Sequence, residues 1–130
     1  MEAAAVLDAS ALIAIIRDEP GSDKVVAALG AAQMATVNVA EVVTYFSRLG
    51  IGEASARSII EQFEVEWVPV DLGLAYDAGA MWERTSASGL SLADRICLAL
   101  ARRQGARALT SDRVWAAVAS VVGVEVEVIR

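Results

Sequence analysis

Short apolar runs alternate along this chain with longer segments in which apolar residues recur every three or four positions, and the alternation persists to the C-terminus. The short runs suit buried strands, and the longer periodic segments suit amphipathic helices. The pattern predicts strands over residues 3–7, 34–36, 66–70, 107–109 and 124–129, with helices over 10–17, 22–29, 39–49, 53–63, 74–85, 92–104 and 114–122. Turn signals separate them: Asp18-Glu19-Pro20-Gly21, Gly30, the Gly50-Ile51-Gly52 break, the polar loop Ser86-Ala87-Ser88-Gly89, and Gly105. Pro69 marks the third strand as an edge or its end, because proline cannot donate to a ladder. The alternating Val124-Glu125-Val126-Glu127-Val128 suits an edge strand with one wet face. The order β-α-α-β-α-α-β-α-α-β-α-β predicts an α/β fold, with helices on the faces of a parallel sheet.

Composition narrows the chemistry. The 130 residues are 56% apolar and 22% charged, with mean hydropathy +0.50, as expected of a single globular domain spanning 1–130. The stretch from Met1 to Asp8 has no basic region and is not expected to be a signal peptide. No apolar run approaches the roughly 20 residues of a membrane span, so no membrane partner and a cytoplasmic location are expected. The lone Cys97 excludes an internal disulfide and reads as a small buried apolar residue. The absence of histidine excludes more: Ser-His-Asp and Cys-His nucleophiles, His-ligated zinc and imidazole acid/base chemistry. Carboxylates, hydroxyls, arginines or an oxygen-bound metal must carry any reaction.

Asp8 follows the first predicted strand, Glu41 lies in the first turn of the helix after the second, Asp94 opens a helix, and Asp112 follows the fourth strand. In a parallel α/β sheet the loops after the strands gather at one edge, where ligands bind. Carboxylates gathered there repel one another unless a cation lies between them, and a hard divalent ion such as Mg²⁺ or Mn²⁺ takes oxygen ligands. Each acid also has a plain helix-capping explanation. Ser91-Leu92-Ala93-Asp94 fits a capping box, Asn38-Val39-Ala40-Glu41 resembles one, and Asp8 and Asp112 suit N-caps. Asp71 occupies a similar position, so position alone does not separate it from the set. Asp94 shares its helical face with Cys97, Leu98 and Ala101, an apolar flank where an unpaired carboxylate is costly.

Four segments carry a resemblance across nearly the whole chain: Val6-Leu7-Asp8-Ala9-Ser10-Ala11-Leu12, Asn38-Val39-Ala40-Glu41-Val42-Val43, the run from Gly89 to Ala101 containing Ser91-Leu92-Ala93-Asp94, and Ala108-Leu109-Thr110-Ser111-Asp112-Arg113-Val114-Trp115. In order and spacing they resemble the successive motifs of PIN-domain ribonucleases, most of all the VapC-type toxins of bacterial toxin–antitoxin pairs. The resemblance implies a three-layer α/β/α fold around a mainly parallel sheet of about five strands. It implies that Asp8, Glu41, Asp94 and Asp112 are a catalytic and metal-binding quartet, that Ser10 and Thr110 support it, and that Asp71 is not a member. Asn38 stands where small hydroxyl residues are frequent in the family. The implied activity is Mg²⁺-dependent endoribonuclease cleavage, with Mn²⁺ as a substitute, by a metal-activated water that leaves 5′-phosphate and 3′-hydroxyl ends. A cognate VapB-like antitoxin and a homodimer are the implied partners.

A net charge of −6, from 17 acidic and 11 basic residues, argues at first against an RNA substrate. Its distribution argues otherwise. Residues 1–94 carry 5 basic and 14 acidic side chains, net −9, whereas residues 95–113 carry five arginines against Asp112, net +4. Arg95 and Arg113, beside the last two acids, are the candidate RNA contacts, while Arg102 and Arg103 suit a solvated helix face equally well. A stand-alone PIN-domain nuclease and a non-cleaving protein-binding module are the alternatives. Tyr45, Phe46, Trp82 and Trp115 are candidate interface aromatics for the latter, although each also suits the core. A phosphotransfer receiver would need a late lysine, and the only lysine is Lys24; a HAD-type phosphatase would need a second acid where Ser10 stands.

Overall fold

The computed structural model describes residues 3–130, so the Met1-Glu2 start of the stretch expected to lack a signal peptide lies outside the described residues. Five parallel strands, β1 (Ala5–Leu7), β2 (Ala32–Ala35), β3 (Val65–Val68), β4 (Arg107–Thr110) and β5 (Val126–Val128), form one sheet in the order β3-β2-β1-β4-β5. β1 is flanked on both sides: Ala5 lies opposite Ala32 of β2 and Arg107 of β4, and Leu7 lies opposite Leu109. The central strands are short apolar runs because both their faces are covered. β1 and β2 are buried throughout, whereas the outer strands β3 and β5 lie at intermediate depth. Both edge assignments made from Pro69 and from the Val-Glu alternation therefore hold.

The helices are α1 (Ala9–Ile16), α2 (Ser22–Ala28), α3 (Thr36–Arg48), α4 (Glu53–Ile60), α5 (Leu72–Ala80), α6 (Trp82–Thr85), α7 (Leu92–Gln104) and α8 (Val114–Val122). Strand side chains alternate between two apolar clusters, one on each face of the sheet. Ala5, Leu7, Met34 and Leu109 meet Leu12, Val25, Phe46 and Ile60 of α1 to α4. Val6, Ala35 and Ala108 meet Leu74, Leu98, Trp115 and Val118 of α5, α7 and α8. The result is three layers, and the helix layer changes sides around β1 and β4. Loops leaving those neighbouring strands part to open a crevice at the carboxyl edge. Gly21 adopts φ 91°, and a Cβ there would collide with the Ile129 carbonyl just after β5, so only glycine fits against that backbone.

Several boundaries shift by a few residues, as where β2 spans Ala32–Ala35 rather than 34–36, and two helices differ in ways that bear on the site. The segment predicted as one helix over 74–85 is two, interrupted at Met81, whose carbonyl accepts from both the Arg84 and the Thr85 N–H. The helix predicted to start at residue 39 begins at Thr36, directly after β2, with no side-chain cap at Ala35. Glu41 therefore lies in the second turn of α3 rather than the first, and Asn38-Val39-Ala40-Glu41 is not a capping box. Asn38 instead sits inside the helix, fully buried, with its side-chain amide donating to Glu41 one turn on.

Candidate active site

The crevice between β1 and β4 holds a cavity of about 420 Å³ lined by Asp8, Glu41, Asp94 and Asp112, together with Ser10, Thr44, Tyr45 and Arg48. Each acid arrives by a local rule of chain geometry. Asp8 ends β1 and caps α1, its Oδ1 accepting from the Ala11 N–H at 3.0 Å. Asp94 completes a capping box at the start of α7: its N–H donates to Ser91 Oγ at 3.1 Å, and its Oδ2 accepts from the Ser91 N–H at 2.9 Å. Asp112 accepts from the Val114 N–H at the start of α8. The capping explanation and the shared cavity are thus two consequences of one placement, since these helices all begin at the same sheet edge.

Two hydroxyls tie the β1 and β4 loops together beneath the cavity. Ser10 Oγ donates to Asp8 Oδ1 at 2.6 Å and accepts from the Ser111 N–H. The buried Thr110 donates to Asp8 Oδ2 at 2.8 Å, and its oxygen accepts from the Asp112 N–H at 3.0 Å. Asp8 is held from both sides, yet burial dominates its chemistry and pushes its carboxyl up to about 6 against these hydrogen bonds, with the charge of Asp94 adding to the rise. Asp94 is raised too, chiefly by burial and further by Asp112. Cys97 is buried, as predicted, and its thiol is held well above its ordinary range by burial and by the charges of Asp8, Asp94 and Glu41.

Asp71 has gone elsewhere. It caps α5 through the Leu74 N–H and pairs with Arg103 at 2.8 Å, and these bonds hold its carboxyl below the usual range. The late arginines do not assemble into the basic patch that their spacing suggests. Arg95, expected to face RNA, donates to the Ala78 carbonyl of α5 at 2.9 Å and is half-buried there; Arg107 pairs with Glu127. Arg102 lies in a separate shallow cavity with Asp77, Glu83 and Arg84. Arg113 is exposed and has no ion-pair partner among the described residues. The cation lining the acid cavity is Arg48, which the sequence reading missed. The signal was present: Thr44, Tyr45 and Arg48 stand three, four and seven residues after Glu41, on the same helix face. Of the aromatics, Phe46 and Trp115 are core, Tyr45 lines the cavity, and Trp82 is 58% exposed.

A family model for the PIN domain matches residues 5–121. The chain belongs to the PIN-domain family. Among curated proteins no sequence matches this PIN domain. Its fold matches solved structures at low identity. One is a toxin–antitoxin complex from Klebsiella pneumoniae, with TM-score 0.75 and 16% identity over 97% of this chain and 98% of the other. Another is DNA-bound VapBC from Salmonella typhimurium, with TM-score 0.72 and 14% identity over 96% and 97%. A third is the sarcin-ricin loop cleaving toxin VapC20 of Mycobacterium tuberculosis, with TM-score 0.68 and 17% identity over 87% and 94%.

PIN-domain nucleases in general depend on divalent metal ions. The donors lining this PIN domain's cavity suit one: all are oxygens, and the mutual repulsion of Asp8, Asp94 and Asp112 is what a cation relieves. Among the described residues no three acids already surround a common point closely enough to ligate it together.

Proposed function

We propose that this PIN domain is a divalent-metal-dependent endoribonuclease and the toxin of a VapBC-type toxin–antitoxin pair. The observation that carries the reading is the convergence of Asp8, Glu41, Asp94 and Asp112 on one cavity at the sheet edge. These four residues would hold Mg²⁺, or Mn²⁺ in its place. When bound, such an ion supplies Lewis acidity toward water and neutralises charge gathering on a phosphodiester. Asp8 is the fixed point of the set, since three hydrogen bonds hold it at both oxygens. Ser10 and Thr110 orient Asp8 and join the two loops. Arg48, at the cavity wall, meets an RNA phosphate, and the exposed Arg113 beside Asp112 is a second candidate. The fold likeness to toxin–antitoxin complexes supports an antitoxin partner, and we assign the protein to the cytoplasm as a homodimer. Among the described residues no helix is long and apolar enough to cross a membrane.

The direct test is incubation of RNA with the purified protein in Mg²⁺, in Mn²⁺ and in EDTA, with end-group analysis of the products. Cleavage in either metal, none in EDTA, and 5′-phosphate ends are expected; cleavage undiminished by EDTA would sink the reading. Arg48→Ala should weaken RNA binding and reduce the slope of log K against log salt by about 0.7, the loss of one single-strand phosphate contact. Arg95→Ala should leave that slope unchanged, because its guanidinium is engaged with Ala78. A salt titration of both variants reads the difference.

A further inference from the structure

Glu41 differs from the other three acids in how it is held. Asp8 has three hydrogen bonds, Asp94 a capping box and Asp112 a helix amide. Glu41 is exposed, has the longest side chain of the four, and its one hydrogen bond among the described residues comes from Asn38 Nδ2 to Oε1 at 2.9 Å. A free glutamate at a cavity mouth samples several rotamers, and ordering it costs entropy on every binding event. Asn38 is fully buried, and the same Nδ2 makes a longer contact, 3.5 Å, with the carbonyl of Ala93, the residue before Asp94. Two acceptors on that side of the amide fix its orientation, because a flipped amide would set oxygen against oxygen. The remaining Oδ1 is buried without a partner among the described residues. Such an oxygen lowers stability, so folding alone favours an apolar side chain at this position. The amide's two donor hydrogens are what a serine or threonine hydroxyl, with one hydrogen, lacks.

We propose that Asn38 is a positioning residue that holds the Glu41 carboxylate of α3 against the Asp94-bearing turn of α7. The proposal rests on the four-carboxylate metal reading given above. It acts on the metal site through Glu41 and requires no contact between Asn38 and RNA.

Mn²⁺ binding without RNA, followed by the electron paramagnetic resonance signal of the free ion, is the readout, with thermal unfolding alongside. Asn38→Leu should weaken Mn²⁺ binding about 10-fold, the scale of lost outer-shell partners, without lowering the unfolding temperature in proportion. In a Glu41→Gln background Asn38→Leu should have no further effect on Mn²⁺ binding, since the group it acts through is gone. Asn38→Thr, which keeps one donor, should lose less than Asn38→Leu and serves in its place if that variant does not fold. Wild-type Mn²⁺ affinity in Asn38→Leu, or losses that multiply in the double variant, would overturn the proposal while Asp94→Asn still abolished binding. Equal Mn²⁺ binding by wild type and Asp94→Asn would remove the metal reading itself, and the proposal with it.

Discussion

Asp94→Asn should reduce RNA cleavage at least 100-fold while leaving the protein folded. The magnitude follows from the assigned role: even partners outside a metal's ligand shell change affinity or activity by about 10- to 100-fold, and Asp94 is assigned to the shell itself. The fold should survive because asparagine keeps the capping geometry. Its side-chain oxygen still accepts from the Ser91 N–H, and its own N–H still donates to Ser91 Oγ. Removing the charge also removes the repulsion from Asp112 and the desolvation cost of the ionised form that together raise this carboxyl. Cleavage of a labelled RNA, with circular dichroism to verify folding, checks both halves. A folded variant that cleaves at the wild-type rate would contradict the assignment.

Asp8→Asn should make the metal-free protein more stable at neutral and alkaline pH, and the gain should disappear in acid. Burial raises the Asp8 carboxyl from 3.8 to about 6 in the folded protein. Below the lower value both folded and unfolded chains carry the proton, and burial of the group carries no charge penalty. As pH rises through the window between the two values the folded state binds more protons than the unfolded one, so stability falls, and the full cost is present above the folded value. That cost is on the order of 3 kcal/mol, because each pH unit of the window contributes about 1.4 kcal/mol. Asparagine carries no such charge and its Oδ1 keeps the bond from the Ala11 N–H, while its Nδ2 no longer accepts from Thr110, a smaller loss that does not follow the titration of this carboxyl. Urea unfolding at about pH 3 and about pH 8 in EDTA should show the gain from removing the charge only at the higher pH. Added Mg²⁺ should then stabilise the wild type and not the variant, because a ligand that binds the folded state stabilises it by mass action. An advantage independent of pH would show that the ionised carboxylate is not the source of the cost.

The parts of the fold legible in the chain are those with local causes. α7 spans Leu92 to Gln104 as predicted, because Ser91 and Asp94 form its capping box and Gly105 ends it in the left-handed conformation. α8 ends at Gly123 for the same reason. Pro69 and the Val-Glu alternation marked the two edge strands. Boundaries lacking a local signal were missed. α3 begins three residues early, because Thr36 follows β2 without a loop or capping side chain, and the break at Met81 has no glycine or proline at the joint.

By itself the sequence determined which acids stand after strands or at helix starts, and so which of them the carboxyl edge of the sheet can collect. It also determined that no imidazole takes part. Tertiary structure alone decided which charges face one another. Asp71 has the same local setting as Asp8, yet it lies outside the acid cavity and pairs with Arg103, 32 residues distant in the chain. Arg95 and Arg107 are claimed by acceptors 17 and 20 residues away, while Arg48, far from the late arginine cluster, reaches the acid cavity. The physical reason is that periodicity assigns a side chain to a face of its own helix or strand, whereas the partner it meets depends on how layers pack across the sheet. Asn38 shows the same division. Its spacing to Glu41 is written in the chain, but its burial and its contact with the turn before Asp94 exist only once α3 and α7 lie side by side.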